Sequence, residues 1–165
     1  MALSTERNVG VAVDFSEGSQ AALMWASDHL LRAGDKLVII HSEVCFQKEQ
    51  GAVHLWESTG SPFIPLNEFD DPGITKRYGV KPDSATINIL HQLAKQKGIE
   101  VVVKIYWGDA GVKICEAGEK VPLQCLVIGS RGLGKVKRAL LGSVSSYVVH
   151  HAMCPVTVVK SSPSN

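Results

Sequence analysis

Residues Asn8 to Gly34 read NVGVAVDFSEGSQAALMWASDHLLRAG and combine two different hydrophobic patterns. The opening run, NVGVAV, is short, apolar and rich in valine, which is typical of a strand buried on both faces. After it, apolar residues recur at helical spacing, and Ser16 and Gly34 provide the start and stop signals of a helix. This stretch therefore predicts a buried strand followed directly by an amphipathic helix.

The same alternation of strand and helix continues along the chain. Apolar runs predict further strands at residues 37–40, 100–106, 126–128 and 155–160, and helical spacing predicts helices at 82–97, 111–120 and 143–151. Strands that alternate with helices form a mostly parallel sheet with helices on both faces. The predicted class is therefore α/β, with five strands in the sheet.

Residues 42–81 interrupt this pattern, because they show no sustained period and are rich in glycine and proline. Two interpretations stay open: a covering excursion with short helical turns, or a partly disordered loop. The aromatic side chains of Trp56, Phe63 and Phe69 favour the first. With 165 residues the chain suits one domain, 1–165, with this long covering loop and a frayed polar tail at 161–165.

Composition excludes several classes of function. The formal net charge of +1 argues against a protein that binds nucleic acid or membrane surfaces in bulk. No apolar run approaches the roughly 20 residues of a membrane span, and the N-terminus lacks the apolar core of a signal peptide. We therefore predict a cytoplasmic protein, and the alternative is a protein found in both the cytoplasm and the nucleus. We predict neither a nucleic-acid nor a membrane partner.

The chain carries no readable catalytic constellation. There is no G-x-S-x-G motif and no Ser–His–Asp arrangement, and the four cysteines lack metal-ligand spacing. His150 and His151 are adjacent on a predicted helix, so they point about 100° apart and do not face one metal. The prediction names no catalytic residue and leaves the metal content open.

Ligands of such sheets bind beyond the carboxyl ends of the strands, so the residues there are the candidates for a site. Asp14 follows the first strand and is interpreted as a ligand contact or, alternatively, as a helix-start residue only. His41 and Ser42 follow the second strand, where His41 would stand at the rim of the pocket. Gly129 ends the fourth strand.

A glycine-rich stretch follows that fourth strand and reads VIGSRGLGKVKRALLGSVSS at residues 127–146. Glycine lets a ligand approach the backbone closely, and helix N-termini bind anions through unpaired N–H groups. Gly142 stands directly before a predicted helix that begins at Ser143, so the stretch fits a phosphate cradle. The alternative is a surface loop with a serine N-cap. The stretch matches neither the Walker motif nor the dinucleotide fingerprint.

These residues resemble a known family. Gly129 and Gly132 form G-x-x-G, and Gly142 and Ser143 follow after nine residues as G-S, which is similar to the ATP-binding motif of the universal stress protein family. VAVDFSEGSQAAL resembles the first strand and helix of that family, and GSVSSYVVHHAMCPVTVVK resembles its closing helix and strand. LWESTGSPFIPL and YWGDA look like its plant single-domain members.

The resemblance implies a Rossmann-like three-layer sandwich, similar to the adenine nucleotide alpha hydrolases, with a five-stranded parallel sheet and ATP or AMP at the motif. The implied nucleotide-binding residues flank the strand ends and the glycine motif: Ala12, Val13, Asp14, His41, Ser42, Ile128, Gly129, Arg131, Gly132, Gly142, Ser143, Val144 and Ser145. Asp14 would contact the nucleoside, and the residues from Gly142 onward would bind phosphates. Ser42 departs from the valine that nucleotide-binding members often carry there, which could reshape the base pocket.

Family members commonly form homodimers by pairing their last strands, and PVTVVK suits that role through Val156 and Val158. An ordinary edge strand covered by its own chain is the alternative. The function that the resemblance implies is a regulatory or protective protein of the stress response that binds an adenine nucleotide. Turnover would be slow or absent, although Mg²⁺ at Asp14 or the phosphates could support weak ATP hydrolysis. An ATPase or phosphotransferase and a nucleotide-free interaction module are the other hypotheses.

Overall fold

The structure is a computed structural model that describes residues 6–44, 56–130 and 141–161. Its strands are β1 Asn8–Ala12, β2 Lys36–Glu43, β3 Ile64–Pro65, β4 Glu100–Trp107, β5 Cys125–Gly129 and β6 Val156–Val159. Its helices are α1 Glu17–His29, α2 Leu66–Phe69, α3 Pro72–Tyr78, α4 Ser84–Lys97, α5 Ala110–Lys120 and α6 Ser143–His151.

The strands form one sheet in the order β3-β4-β2-β1-β5-β6. Every pairing is parallel except that of β3 with β4, which is antiparallel. The predicted α/β class and its five parallel strands are confirmed, but the described sheet holds a sixth strand that was not predicted. This strand is only two residues long, too short to show a period, and its Pro65 suits an edge because proline cannot donate to a ladder.

Helices cover both faces of the sheet, because successive strand side chains point to opposite sides. Val11, Ile39 and Val103 belong to a core that includes α1 and α4 residues. Their neighbours on the opposite face, such as Ile40 and Val102, belong to a second core that includes α5 and α6 residues. The molecule is therefore a three-layer sandwich, as the resemblance implies.

The second strand is longer than predicted. Its apolar run ends at Ile40, but β2 continues to Glu43 because Ser42 pairs with Tyr106 and Glu43 pairs with Trp107 of β4. The prediction that the covering loop begins at residue 42 is therefore wrong by two residues. In the described part of that segment, 56–81, the chain forms β3, α2 and α3, which agrees with short helical turns. The single-domain assignment and the frayed tail stay predictions.

Helix ends follow the predicted signals at some positions and not at others. The Ser16 hydroxyl accepts a hydrogen bond from the Ser19 N–H at 3.2 Å and caps α1 as predicted. Gly98 ends α4 with a left-handed φ of 64°. The prediction that α1 runs to Gly34 is wrong, because α1 ends at His29 and the Leu30 and Leu31 N–H groups both bond to the Ala26 carbonyl. In the described ranges, no helix has the length and apolarity to cross a bilayer.

Candidate functional site

Three central strands, β2, β1 and β5, bring their carboxyl ends to the same edge of the sheet. Ala12 lies opposite Ile40 there, and the Val13 N–H donates to the Ile40 carbonyl at 2.9 Å. Asp14 follows on one side and Gly129 ends β5 on the other. The topology therefore gathers the predicted residues of β1, β2 and β5 at one edge.

Asp14 organises the start of α1. Its Oδ1 accepts hydrogen bonds from the Ser16 N–H at 3.0 Å and from the Ser16 hydroxyl. Since Ser16 in turn caps the helix, Asp14 has the helix-start role that was one of its two interpretations. Asp14 is also half-buried rather than covered, so a nucleoside contact stays a prediction.

Phe15 adopts a left-handed backbone with φ 64° and is the only non-glycine residue with positive φ among the described ones. A bulky residue in this region costs roughly 1–2 kcal/mol. Its ring packs on the His41 ring with centroids 4.6 Å apart, which offsets part of that cost. No sequence pattern indicated this conformation.

His41 is 5% exposed and uses both ring nitrogens within the protein. Nδ1 lies 2.7 Å from the Val13 carbonyl oxygen, and Nε2 lies 2.7 Å from Oε1 of Glu43. Because a carbonyl can only accept, Nδ1 carries a proton and donates it to Val13. His41 thus lies inside the sheet edge rather than at an open rim, and it holds the β1–α1 turn in position.

Ser42 points to the opposite face of the sheet from His41, as strand alternation requires. Its hydroxyl donates to the Gly108 carbonyl at 3.3 Å and connects β2 to the turn after β4. Tyr106 pairs with it across the strands. Burial, reinforced by Glu116, raises the pKa of Tyr106 to about 12, so this phenol stays protonated near neutral pH and does not act as a base.

The first turn of α6 is fixed to the end of β5 by Ser130, a residue that no sequence pattern indicated. The Gly142 N–H donates to the Ser130 carbonyl at 2.6 Å, and the Ser145 hydroxyl donates to the same carbonyl at 3.1 Å. Ser143 and Val144 are exposed at the helix start. The backbone N–H groups of a first turn have no partner within their own helix, so this turn can receive an anion.

Two predicted residues, Arg131 and Gly132, lie outside the described residues. Ile128 and Gly129 are in β5, with Ile128 buried on the same side of the sheet as α5 and α6. Among residues 6–44, 56–130 and 141–161, no three histidine, cysteine or acidic side chains form a metal-binding group. The predicted site residues that the structure describes thus lie along the ends of β1, β2 and β5 and the start of α6.

Comparison with known proteins tests the predicted family. The model of the universal stress protein family matches residues 6–160. Universal stress protein PHOS34 of Arabidopsis thaliana is 36% identical in an alignment 165 residues long, and this alignment covers 93% of this chain. The chain spans 62% of the length of that relative.

Solved structures agree with this comparison. Hypothetical protein MJ0577 is 25% identical and superposes with a TM-score of 0.66 over 96% of this chain and 98% of its own. A universal stress protein family protein of Arabidopsis thaliana with AMP bound is 25% identical, with a TM-score of 0.59 over 93% of this chain and 91% of its own. The predicted resemblance is confirmed, and the chain belongs to the universal stress protein family.

Proposed function

We propose that this chain binds an adenine nucleotide, ATP or AMP, where β1, β2 and β5 end, and acts as a regulatory or protective stress protein. The observation that carries the proposal is the start of α6: Ser130 holds this turn at the sheet edge, and Ser143 and Val144 stay exposed. The AMP bound by the Arabidopsis relative supports the same ligand class here. The proposed location is cytoplasmic, with the nucleus as an additional compartment.

Each group of the proposed site has a distinct task. Ala12 and Val13 line the nucleoside pocket, Asp14 contacts the nucleoside, and Ile128 and Gly129 continue the pocket on β5. Arg131 and Gly132 are proposed to wrap the ribose and the α-phosphate. His41 acts as a positioning residue, because it holds the Val13 carbonyl at 2.7 Å.

At the start of α6 the proposed tasks also differ between neighbours. The N–H groups of Ser143 and Val144 and the Ser143 hydroxyl receive phosphate oxygens. Ser145 supports the turn from inside, because its hydroxyl is buried against Ser130. Ser42 lies on the α5 and α6 side of β2, where it borders the proposed base pocket.

Binding and turnover separate the three functional hypotheses. We expect isothermal titration calorimetry to give heat with both AMP and ATP, and a phosphate-release assay with ATP and Mg²⁺ to show slow or no turnover. Slow turnover is expected because the described residues proposed to receive the phosphates, Gly142 to Ser145, include no general base. Phosphate release that Asp14→Ala abolishes would instead indicate an ATPase or phosphotransferase. If the wild type gives no heat of binding with AMP or ATP, the protein is a nucleotide-free interaction module.

The proposed homodimer forms through the outer edge of β6, which no strand of the described residues pairs with. The Leu126 and Ser130 N–H groups donate to the carbonyls of Pro155 and Val159 at 2.8 Å, so these residues face β5. Because the backbone groups of successive residues point to opposite sides of a strand, the N–H and C=O groups of Val156 and Val158 point away from β5. A second copy can pair with this edge, as the predicted pairing of last strands requires.

Val158→Pro should raise the dimer dissociation constant at least tenfold, because proline removes an outward N–H without removing a bond to β5. Light scattering after size-exclusion chromatography, over a concentration series, measures this constant. Val158→Ala is the matched control, since it keeps the N–H and should keep the dimer. Equal dimerisation of the two variants, or a monomeric wild type, would contradict the proposed edge.

A further inference from the structure

A cavity of about 910 Å³ lies beside the proposed nucleotide site and does not share its residues. It opens between the ends of β2 and β4 and the helices α3 and α4, and Glu43, Trp107, Tyr78 and Asn88 are among its lining residues. Small-molecule pockets typically measure 300–1,000 Å³. The cavity is therefore large enough for a ligand of its own.

Two lining residues of the cavity, Tyr78 and the 5% exposed Trp107, belong to a preformed stack of aromatic rings. The Tyr78 ring lies 6.3 Å from the Trp107 ring at an angle of 19°. The same Tyr78 ring lies 5.3 Å from the Trp56 ring at an angle of 30°. The indole Nε1 of Trp107 donates to the Tyr78 carbonyl at 3.3 Å, which holds the stack in place. Flat, fixed rings of this kind favour a planar apolar guest.

The polar group at the strand ends is the Glu43 carboxylate, one oxygen of which contacts His41. Glu43 lines the cavity, and its Oε1 lies 2.7 Å from His41 Nε2 while His41 Nδ1 donates to Val13. Because Oε1 is used, Oε2 is the oxygen with which Glu43 can accept a hydrogen bond from a ligand.

The rim of the cavity carries charges of both signs. Asp70, which bonds to His91 at 3.2 Å, lies on it together with Lys76 and Lys81, and all three are exposed. Exposed charges are largely screened by solvent. The lining therefore gives a small ion of either sign little advantage over a neutral molecule.

We propose that this cavity is a second small-molecule site for a planar, uncharged aromatic ligand that carries an N–H or O–H donor. The ring packs against Trp107 and Tyr78, and the donor bonds to Glu43. The inference does not rest on the proposed nucleotide function, because it uses a different set of lining residues.

Two matched probes test the chemistry of the ligand. In amide-resolved NMR titrations of the wild type, 2-naphthol should shift the Trp107 indole N–H and the Glu43 amide, and it should bind at least fivefold more tightly than naphthalene, which lacks the donor. Saturating AMP should leave the 2-naphthol dissociation constant within twofold. Shifts confined to other parts of the molecule, or displacement by AMP, would overturn the proposal.

Two matched variants test the place of the site. Asn88 and Gln92 are both exposed on α4, but Asn88 lines the cavity. Asn88→Trp should fill the cavity and weaken 2-naphthol binding at least tenfold, whereas Gln92→Trp should bind as the wild type does. Equal binding by both folded variants would overturn the proposal, and the wild-type shift map decides the question if Asn88→Trp fails to fold.

Discussion

We expect Ser143→Asp to weaken AMP binding roughly thirtyfold, as measured by calorimetry. The carboxylate would stand at the exposed start of α6, where the proposed site receives the phosphate. Like charges about 4 Å apart repel by about 4 kcal/mol near a protein surface, and screening reduces this to about 2 kcal/mol. At 1.4 kcal/mol per factor of ten, this corresponds to roughly thirtyfold in Kd.

Ser143→Asn is the matched control, because it has nearly the shape of aspartate without its charge, and it should bind AMP within about threefold of the wild type. The melting temperature of Ser143→Asp should not fall, since an acidic residue in the first turn favours a helix. Adenosine, which has no phosphate, should bind both variants equally. Unchanged AMP affinity in Ser143→Asp would exclude α6 as the phosphate site.

Gly60→Ala should destabilise the protein by about 3 kcal/mol, from left-handed strain and overpacking together. Gly60 has φ 77°, and a Cβ there would lie 2.6 Å from Cε1 of Tyr106. The Tyr106 ring is 1% exposed, so it can withdraw only by displacing the side chains packed around it. For a chain of this size the loss corresponds to a fall in Tm of roughly 6–12 °C.

Gly98→Ala separates strain from clash. Gly98 has a similar φ of 64°, but a Cβ there would meet no atom within 4 Å. This variant should therefore lose only about 1 kcal/mol and roughly 2–4 °C in Tm. If thermal unfolding gives equal losses for the two variants, the close contact with Tyr106 does not contribute.

Local patterns were sufficient for much of the fold and insufficient where long-range pairing decides. Ser16 and Gly98 mark helix ends that the structure contains, because caps are properties of short segments. The extension of β2 through Ser42 to Glu43 depends on pairing with β4, more than sixty residues away, which no local pattern reveals. The two-residue strand β3 also depends on pairing with β4, which no local pattern reveals.

The candidate site was predictable in place but not in detail. Strand alternation and the glycine motif located the edge at which Asp14 and Gly142 lie. Glu43 could have been found, because it stands two residues after His41 and so faces the same side of a strand. The anchoring role of Ser130 could not have been found, because it depends on how the start of α6 packs against the end of β5. The left-handed Phe15 likewise depends on packing against His41.

The central claim is that the first turn of α6 receives a phosphate. Titrations of the isotope-labelled protein with AMP and with adenosine, followed through the amide signals of Ser143 and Val144, test it most directly. We predict that both amides shift with AMP and stay in place with adenosine. AMP binding that leaves these two amides unmoved, or equal shifts with both ligands, would contradict it.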